Sequence, residues 1–246
     1  MEENSKKAIT DFTKDASKYV SKLDDSFDEW ISPYKDFTDT LGDIKTPLTP
    51  LLSVTSLAKR LKFKSFLKNF AAIVDEDCVT DAHIEKLERY LRREINLTYI
   101  AEIIDSSIES KSHKSSAIMG YYAGTILKEL REIQYKDMIV LNALKLMNNK
   151  DLENFILLYE KFFNEVEMLR SLRVHDSRDK FENLGVPVFE LENTIEKLKG
   201  VLILGYDVGG LNNVGNAWGT FKFNENSFYL YELITKSDVM KIVDIR

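Results

Sequence analysis

The stretch GYDVGGLNNVGNAWGTF, residues 205–221, contains five of the ten glycines in the chain and is the first candidate for chemistry. A glycine-rich turn cradles phosphates when lysine and a hydroxyl residue follow it, as in G-x-x-x-x-G-K-[ST]. Gly205 and Gly210 have that spacing, but Leu211 and Asn212 stand where lysine and the hydroxyl residue are needed. A phosphate here would lack its main charge partner.

A dinucleotide site requires a helix directly after its glycines. The residues that follow are WGTFKF, whose alternation predicts a strand instead. We therefore predict a β-hairpin with a glycine-rich tip, called the wing, and expect no nucleotide or other cofactor. Gly and Asn supply the positive φ angles that turns need, and the wing residues are Gly209, Gly210, Asn212, Asn213 and Gly215.

Metal chemistry has two candidates, and neither is complete. VHDSRD holds a His-Asp pair at His175, but an HD-type hydrolase needs a second upstream histidine and a distant aspartate in a set order. DEDC, residues 75–78, lies near His83 but lacks the glycine and terminal glutamate of a calcium loop. Its acids are better explained as the start of a helix, so we predict no metal site.

The sequence also lacks the motifs expected for covalent or acid-base catalysis. The sequence has no Glu-x-x-His pair and no G-x-S-x-G elbow. The single cysteine, Cys78, has acidic neighbours that disfavour a reactive thiolate. The sequence therefore predicts no catalytic residues and a protein that is not an enzyme.

One basic segment, KRLKFKSFLKNF, interrupts an otherwise acidic chain. No acidic residue occurs from the start of this segment up to Asp75. We predict that its cations face solvent, on the side of the helix opposite Leu57, Leu61 and Phe66, and that they bind an acidic partner. An ordinary solvated surface and contact with anionic lipid are the alternatives. The predicted partner-binding residues are Lys59, Arg60, Lys62, Lys64 and Lys68, with Arg60, Lys64 and Lys68 forming one ridge.

Composition limits the class of protein. The net charge is −6, so the chain lacks the basic field of a protein devoted to duplex DNA. One cysteine excludes an intramolecular disulfide. The N-terminus, MEENSKKAITDF, has no apolar signal region, and no apolar run approaches the ~18 residues of a membrane span. We expect a cytoplasmic protein.

The elements that must position these residues are mostly helical. Apolar spacings of three and four predict a first amphipathic helix over residues 9–34, which either docks onto the following bundle or forms a dimeric coiled coil. Gly120 and Gly124 form a GxxxG in a helix that is apolar nearly all round, which predicts close approach of a neighbouring helix. The other predicted helices are 50–70 with Thr49 as its cap, 81–108 with Thr80 as its cap, 136–147, 151–172 with Asp151 as its cap, 187–199 ending at Gly200, and NSFYLYELI after Asn224.

The fold expected from these elements is mainly α. Residues 1–135 are predicted to form a helical bundle with an N-terminal amphipathic helix. Residues 136–246 are predicted to form a winged-helix-like α+β module with one β-hairpin, built from the strands VLILG and WGTFKF. The serine-rich SSIESKSHKSS is predicted to be a loop or a frayed helix end, and the charged RVHDSRDKFENLG is predicted to be a loop.

Two segments of the C-terminal half carry a resemblance. TIEKLKGVLILGYD and WGTFKFNENSFYLYELI resemble the winged-helix order of helix, strand, wing, strand and capped helix. The whole chain also resembles bacterial helical proteins of the abortive-infection alpha type, with a proline-bearing IKTPLTPLL, a basic Phe-rich helix and a helical middle. That resemblance implies a role in phage defence or stress response and supplies no catalytic residues.

Two functions follow as hypotheses. The first is an interaction protein whose winged helix binds protein, and the second is a winged-helix DNA-binding regulator. The expected recognition helix, 186–199, carries three glutamates against Lys197 and Lys199, so its face offers little for phosphates. It also lacks arginine, the usual reader of guanine. The sequence favours a protein partner over nucleic acid, and a homodimer is left open.

Overall fold

The computed structural model describes residues 10, 13–14, 57–74, 80–163, 172–173, 182, 184–206 and 220–239. The protein is mainly helical, with a small antiparallel sheet. The chain divides into two compact units. The first contains the described residues up to Gln134 together with 237–239, and the second contains those from Tyr135 to Lys236.

The first unit is built on a close pair of helices. Its described helices are α1 (Leu57–Ile73), α2 (Asp81–Leu91), α3 (Glu94–Glu109) and α4 (His113–Glu129). A Cβ atom on Gly120 of α4 would overlap the carbonyl oxygen of Phe66 on α1, and one on Gly124 would lie 2.9 Å from Cβ of Ile73. The GxxxG motif therefore lets α1 approach α4 closely, as the sequence predicts.

The segment 81–108 is two helices and not one. Thr80 caps α2 as predicted, since its hydroxyl accepts the amide of His83 at 3.3 Å. The helix then breaks at Arg92 and Arg93, and the buried Asn96 amide donates to the carbonyl of Tyr90 at 3.0 Å across the break. The break rotates the buried face of α3, so that Ile95 is exposed. The spacing of apolar residues continues across the break, so the sequence pattern predicts one helix.

The serine-rich segment is largely buried helix rather than a polar loop. Helix α3 runs to Glu109 and α4 begins at His113, leaving a three-residue connection. Serine hydroxyls here satisfy nearby backbone oxygens, as Ser110 Oγ does with the carbonyls of Ser107 and Ser112, both at 2.9 Å. Hydrogen-bonded hydroxyls can be buried at little cost, and the buried serines are Ser106, Ser107, Ser110, Ser112, Ser115 and Ser116.

The structure describes four helices and three short strands in the second unit. In chain order they are α5 (Tyr135–Leu146), α6 (Asn149–Phe162), β1 (Leu172–Arg173), α7 (Val188–Gly200), β2 (Leu204–Gly205), β3 (Thr220–Phe223) and α8 (Glu225–Lys236). The sheet order is β1-β3-β2, with β3 antiparallel to both neighbours. Phe221 and Phe223 are buried on β3 while Lys222 is half-buried, which is the predicted alternation.

Strand β1 corrects two predictions. The helix expected from Asp151 to Leu172 ends at Phe162, because Phe163 has extended backbone angles. Leu172 pairs with Phe221 and Arg173 with Thr220, so a third strand joins the predicted hairpin. The apolar spacing beyond residue 162 is compatible with a helix, and only the pairing with a strand about fifty residues away shows that Leu172 belongs to the sheet.

Helix α7 ends one residue later than predicted. Gly200 is still helical, and the residue with left-handed backbone is Leu202, at φ 62°. The amide of Leu202 donates to Lys199 O at 3.0 Å and that of Ile203 to Leu198 O at 2.9 Å. This bond pair is the Schellman motif, with Leu202 in the position that glycine usually occupies.

Of two further predicted helix caps, one is confirmed and one is wrong. Asn224 caps α8, since its side-chain oxygen accepts the amides of Asn226 and Ser227 at 2.9 and 3.1 Å. The cap of α6 is Asn148 and not Asp151, which instead completes a capping box from the third position. The predictions for Thr49 and the wing lie outside the described residues, as does that for helix 9–34 apart from Thr10, Thr13 and Lys14.

Candidate interaction surfaces

Helix α1 buries an aromatic stripe. Phe63, Phe66 and Phe70 are at most 1% exposed, and consecutive rings are 6.0 and 5.9 Å apart between centroids. This stripe sets the orientation of every other side chain on α1, because residues three and four apart share a face of a helix. The cations that fall beside the stripe turn toward the protein, and those opposite it face solvent.

Two of the five predicted partner-binding cations bind the end of α3. Lys59 Nζ lies 2.6 Å from Glu109 Oε1. Lys62 Nζ donates to the carbonyl oxygen of Ser110 and, at 3.4 Å, to that of Ile108. The last carbonyls of a helix carry partial negative charge, so cations are stabilised there. Both lysines tie α1 to α3 within the first unit. The Lys59–Glu109 pair lies at the surface, whereas Lys62 is half-buried against backbone carbonyls, so the expectation that Lys62 faces solvent is corrected.

The predicted ridge of Arg60, Lys64 and Lys68 is also rearranged. The Nε atom of Arg60 is buried, Lys64 is half-buried, and Lys68 is exposed. Leu61, expected to anchor the helix, is 54% exposed. The surface stripe of α1 is therefore formed by Leu61, Lys64 and Lys68, which we call the basic stripe. Whether it binds a partner stays a prediction.

Helix α7 uses both of its lysines inside the second unit. Lys197 Nζ lies 2.5 Å from Asp151 Oδ2, and Asp151 is mostly buried. Lys199 is only 1% exposed and binds Glu196 Oε1 at 2.7 Å, with its amino group 5.0 Å from the ring centre of Tyr206. Each lysine is therefore paired with a carboxylate of the second unit.

The outward stripe of α7 is acidic and apolar. Leu191, Ile195 and Leu198 are fully buried, so the residues opposite them face outward. Phe189 is 62% exposed, and Glu192 and Glu196 are half-buried. We call Phe189, Glu192 and Glu196 the acidic stripe. The count of charged residues in the sequence predicted that this helix is negatively charged. The exposure of Phe189 was not predicted, although its position relative to the buried leucines and isoleucine of α7 would have identified it.

The wing residues Gly209, Gly210, Asn212, Asn213 and Gly215 lie outside the described residues. The strands at its base are described, and Leu204 pairs with Phe223 and Gly205 with Lys222. Tyr206, directly after β2, is exposed and lies over Lys199. The antiparallel strands of the predicted hairpin are thus present at the C-terminal end of α7.

Two ionisable groups among the residues that the structure describes have clearly shifted pKa values. Partial burial, followed by the charge and hydrogen bond of Glu160, raises the pKa of Tyr231, whose hydroxyl lies 3.2 Å from Glu160 Oε1. The hydrogen bond and charge of Glu132 raise the pKa of Arg93 on the surface. The pKa shift of Arg93 therefore arises from its pair with a carboxylate, and that of Tyr231 arises first from burial and then from its carboxylate neighbour. Neither residue belongs to the acidic or basic stripe.

Within the described parts of the chain, no three His, Cys, Asp or Glu side chains are grouped as metal ligands. Among those same residues, no helix has the length and apolar character needed to cross a membrane. His83 and His113 lie on different helices, while His175 and residues 75–78 are not described. No protein-family model matches the chain, and no curated protein and no solved structure matches it either.

Proposed function

We propose that this chain is a non-enzymatic bacterial interaction protein, in which a helical scaffold carries a winged-helix module that binds protein. The observation that carries the proposal is the acidic stripe of α7. In a winged helix this helix is the recognition helix, and here its outward residues are Phe189, Glu192 and Glu196. Protein partners are recognised through exposed aromatic side chains surrounded by polar groups, and this stripe has that composition.

The order of elements supports the winged-helix interpretation. A helix, α7, is followed by β2, the wing segment, β3 and the capped helix α8. Strand β1 adds a third antiparallel strand beside β3. The resemblance of the sequence to winged-helix modules rests on this same order of elements. Because a fold hosts many functions, it supports a binding module without selecting the ligand.

The charges then favour protein over nucleic acid. DNA affinity comes largely from lysine and arginine on phosphates. Lys197 is held by Asp151 and Lys199 is buried against Glu196, so neither lysine of α7 offsets the charge of Glu192 on the outward stripe. A duplex approaching this stripe would meet negative charge.

A role in phage defence or stress response is proposed on the resemblance to abortive-infection proteins. The test is affinity capture from the bacterial host with the tagged chain, with and without phage challenge. A specific protein should be captured by the wild type and lost with Phe189→Ala, while Phe228→Ala, an exposed residue on α8, should keep it. Capture that is indifferent to Phe189 contradicts the proposal for α7.

The alternative function is a DNA-binding regulator, favoured by the order of elements alone. A binding screen with random-sequence duplex DNA at ~0.15 M salt separates the two, because phosphate contacts weaken steeply with salt. We expect no enriched sequence motif. Enrichment of one motif, abolished by changes at Glu192 or Asn193 on the outward side of α7, would replace our proposal with the regulator.

A further inference from the structure

The end of α7 has glycine and leucine in the opposite positions from those that its backbone favours. Gly200 has helical backbone and is exposed, and nothing lies within 4 Å of a Cβ built there, so alanine would fit. Leu202 has left-handed backbone at φ 62°, a conformation that favours glycine over residues with a side chain. Leu202 is also 48% exposed, so burial of its side chain compensates little. The observed end of α7 therefore explains neither the glycine nor the leucine.

An earlier end of α7 would suit both residues. Helices commonly end with a left-handed glycine directly after the last turn. With Gly200 in that position, its amide would donate to the carbonyl of Lys197. The amide of Val201 would donate to the carbonyl of Glu196, which is the same pair of bonds moved by two residues. Leu202 would then return to an ordinary negative φ.

Burial of apolar side chains favours the later end that the structure shows. The amide of Ile203 donates to the carbonyl of Leu198 at 2.9 Å, and both side chains are fully buried. An apolar contact between these two positions commonly accompanies a Schellman motif. At the earlier end the corresponding positions are Val201 and Glu196, where a charged residue replaces one apolar partner. Burial therefore opposes the backbone preferences of the glycine and the leucine.

Hydrogen bonds from the start of α8 also favour the later end. The side-chain amide of Asn226 donates to the carbonyl of Leu202 at 2.9 Å, and that of Asn224 does so at 3.4 Å. The hydroxyl of Ser227 donates to the carbonyl of Ile203. We call Asn224, Asn226 and Ser227 the latch, because they hold the carbonyls of the left-handed residue and of the residue after it. Strained backbone persists where the surrounding structure fixes it in this way.

We propose that α7 exchanges between two C-terminal ends, a long one held by the latch and a short one with Gly200 as its left-handed residue. Burial and the latch favour the long end, whereas the residue types at 200 and 202 favour the short end. Because these effects oppose each other, the short end is a minor state of about 1–10% of the molecules. Shifts of this kind take microseconds to milliseconds.

The exchange changes the link between α7 and the hairpin. Two residues span about 3 Å in a helix and about 6.6 Å in an extended chain, so the short end allows about 3–4 Å more between α7 and β2. A partner that fits one spacing better would select that end. This consequence rests on the proposed function, in which α7 and the hairpin belong to one binding module, but the exchange itself requires no partner.

Saturation-transfer NMR of the isotope-labelled full-length chain measures the exchange. We expect a minor state confined to residues 199–204 and the latch, with the backbone shifts of left-handed glycine at Gly200 and of extended backbone at Leu202. Gly200→Ala should lower its population about tenfold, because alanine disfavours left-handed backbone. Leu202→Gly should lower it by a similar factor, because it relieves the strain of the long end.

Weakening the latch should act in the opposite direction. Asn226→Asp removes the donor to the carbonyl of Leu202, while aspartate remains favourable in the first turn of α8. It should raise the minor population about three- to tenfold. Asn193→Asp makes the same change at an exposed position of α7 and is the matched control, which should leave the population unchanged. Circular dichroism verifies that each variant keeps its helices.

Four results would overturn the inference. The wild type could show no minor state at residues 200–203, or a minor state with the shifts of an unfolded chain, which would mean fraying of the helix end. The minor state could also keep its population in Gly200→Ala, or respond equally to Asn226→Asp and Asn193→Asp. None of these measurements involves a partner, so failure of the inference is distinct from loss of capture through Phe189, which tests the proposed function.

Discussion

Gly120 on α4 lies directly against the backbone carbonyl of Phe66 on α1. A Cβ atom at Gly120 would overlap that carbonyl oxygen, which belongs to the backbone and cannot move aside as a side chain can. The contact sets how closely the two helices of the first unit approach each other. It also sets the direction of the buried phenylalanines and, with them, which cations of α1 reach α3.

Gly120→Ala should therefore destabilise the protein. Overpacking of this kind costs about 1–3 kcal/mol, and the gain in helix propensity of up to about 1 kcal/mol offsets only part of it. We expect a net loss of about 2 kcal/mol in the free energy of unfolding, measured with urea. Gly200→Ala is the matched control, since it lies at the open end of α7 and should gain up to about 1 kcal/mol. Equal effects at the two glycines would contradict the close approach.

Leu202→Gly should stabilise the second unit. Leu202 has a left-handed φ of 62° at the end of α7, and a non-glycine residue there loses about 1–2 kcal/mol. Glycine recovers part of this but loses more backbone entropy on folding, so we expect a gain of about 0.5–1 kcal/mol by urea unfolding. Leu202→Ala keeps the left-handed strain and should bring no gain. A gain with alanine would mean that exposed apolar surface, rather than backbone strain, is the cause.

Lys62 and Lys68 lie on one helix, but their replacement should have different effects. Lys62→Met removes hydrogen bonds to the end of α3 and should cost about 1–2 kcal/mol in the free energy of unfolding. Lys68→Met changes an exposed side chain and should stay within about 0.5 kcal/mol of the wild type. Equal costs for the two replacements would refute the role of Lys62 in tying α1 to the end of α3.

Asp151 should be needed for the packing of α6 on α7. Its carboxylate accepts the amide of Asn148 at 2.9 Å and binds Lys197 at 2.5 Å. Asp151→Ala removes a cap interaction and leaves Lys197 without this partner, and we expect a loss of about 2–3 kcal/mol in thermal or urea unfolding. Glu153→Ala, on the same turn of α6, serves as the comparison and should cost less. A neutral Asp151→Ala would show that the capping of α6 depends on Asn148 alone.

Tyr231 should make stability fall at alkaline pH. Its pKa is raised in the folded protein, first by partial burial and then by Glu160. Folding therefore favours the neutral phenol. The contribution is complete below the ordinary tyrosine pKa of about 10 and is lost as pH rises through the higher folded value.

The titration of Tyr231 can be followed by NMR of its labelled ring, assigned with Tyr231→Phe. Glu160→Gln should lower the pKa toward its ordinary value, because a neutral amide no longer opposes the phenolate. An unchanged midpoint in Glu160→Gln would assign the shift to burial alone.

Several features of this protein were determined by short stretches of sequence. Thr80 and Asn224 cap their helices, Gly120 and Gly124 admit a neighbouring helix, and Phe221 and Phe223 point to one side of a strand. Each depends on the residue type and on neighbours within about four positions along the chain. The mainly helical class with its antiparallel hairpin strands could be predicted for the same reason.

The tertiary structure alone decided what the cations of α1 do. Lys62 reaches the carbonyl of Ser110, 48 residues further along the chain, and Lys59 reaches Glu109 at a separation of 50 residues. A lysine side chain is amphipathic and long enough to face either solvent or a distant helix end, so its own neighbours do not select between them. The buried phenylalanines and Gly120 make that selection by placing α1 against α4, and the exposure of Leu61 on the opposite side follows from the same packing.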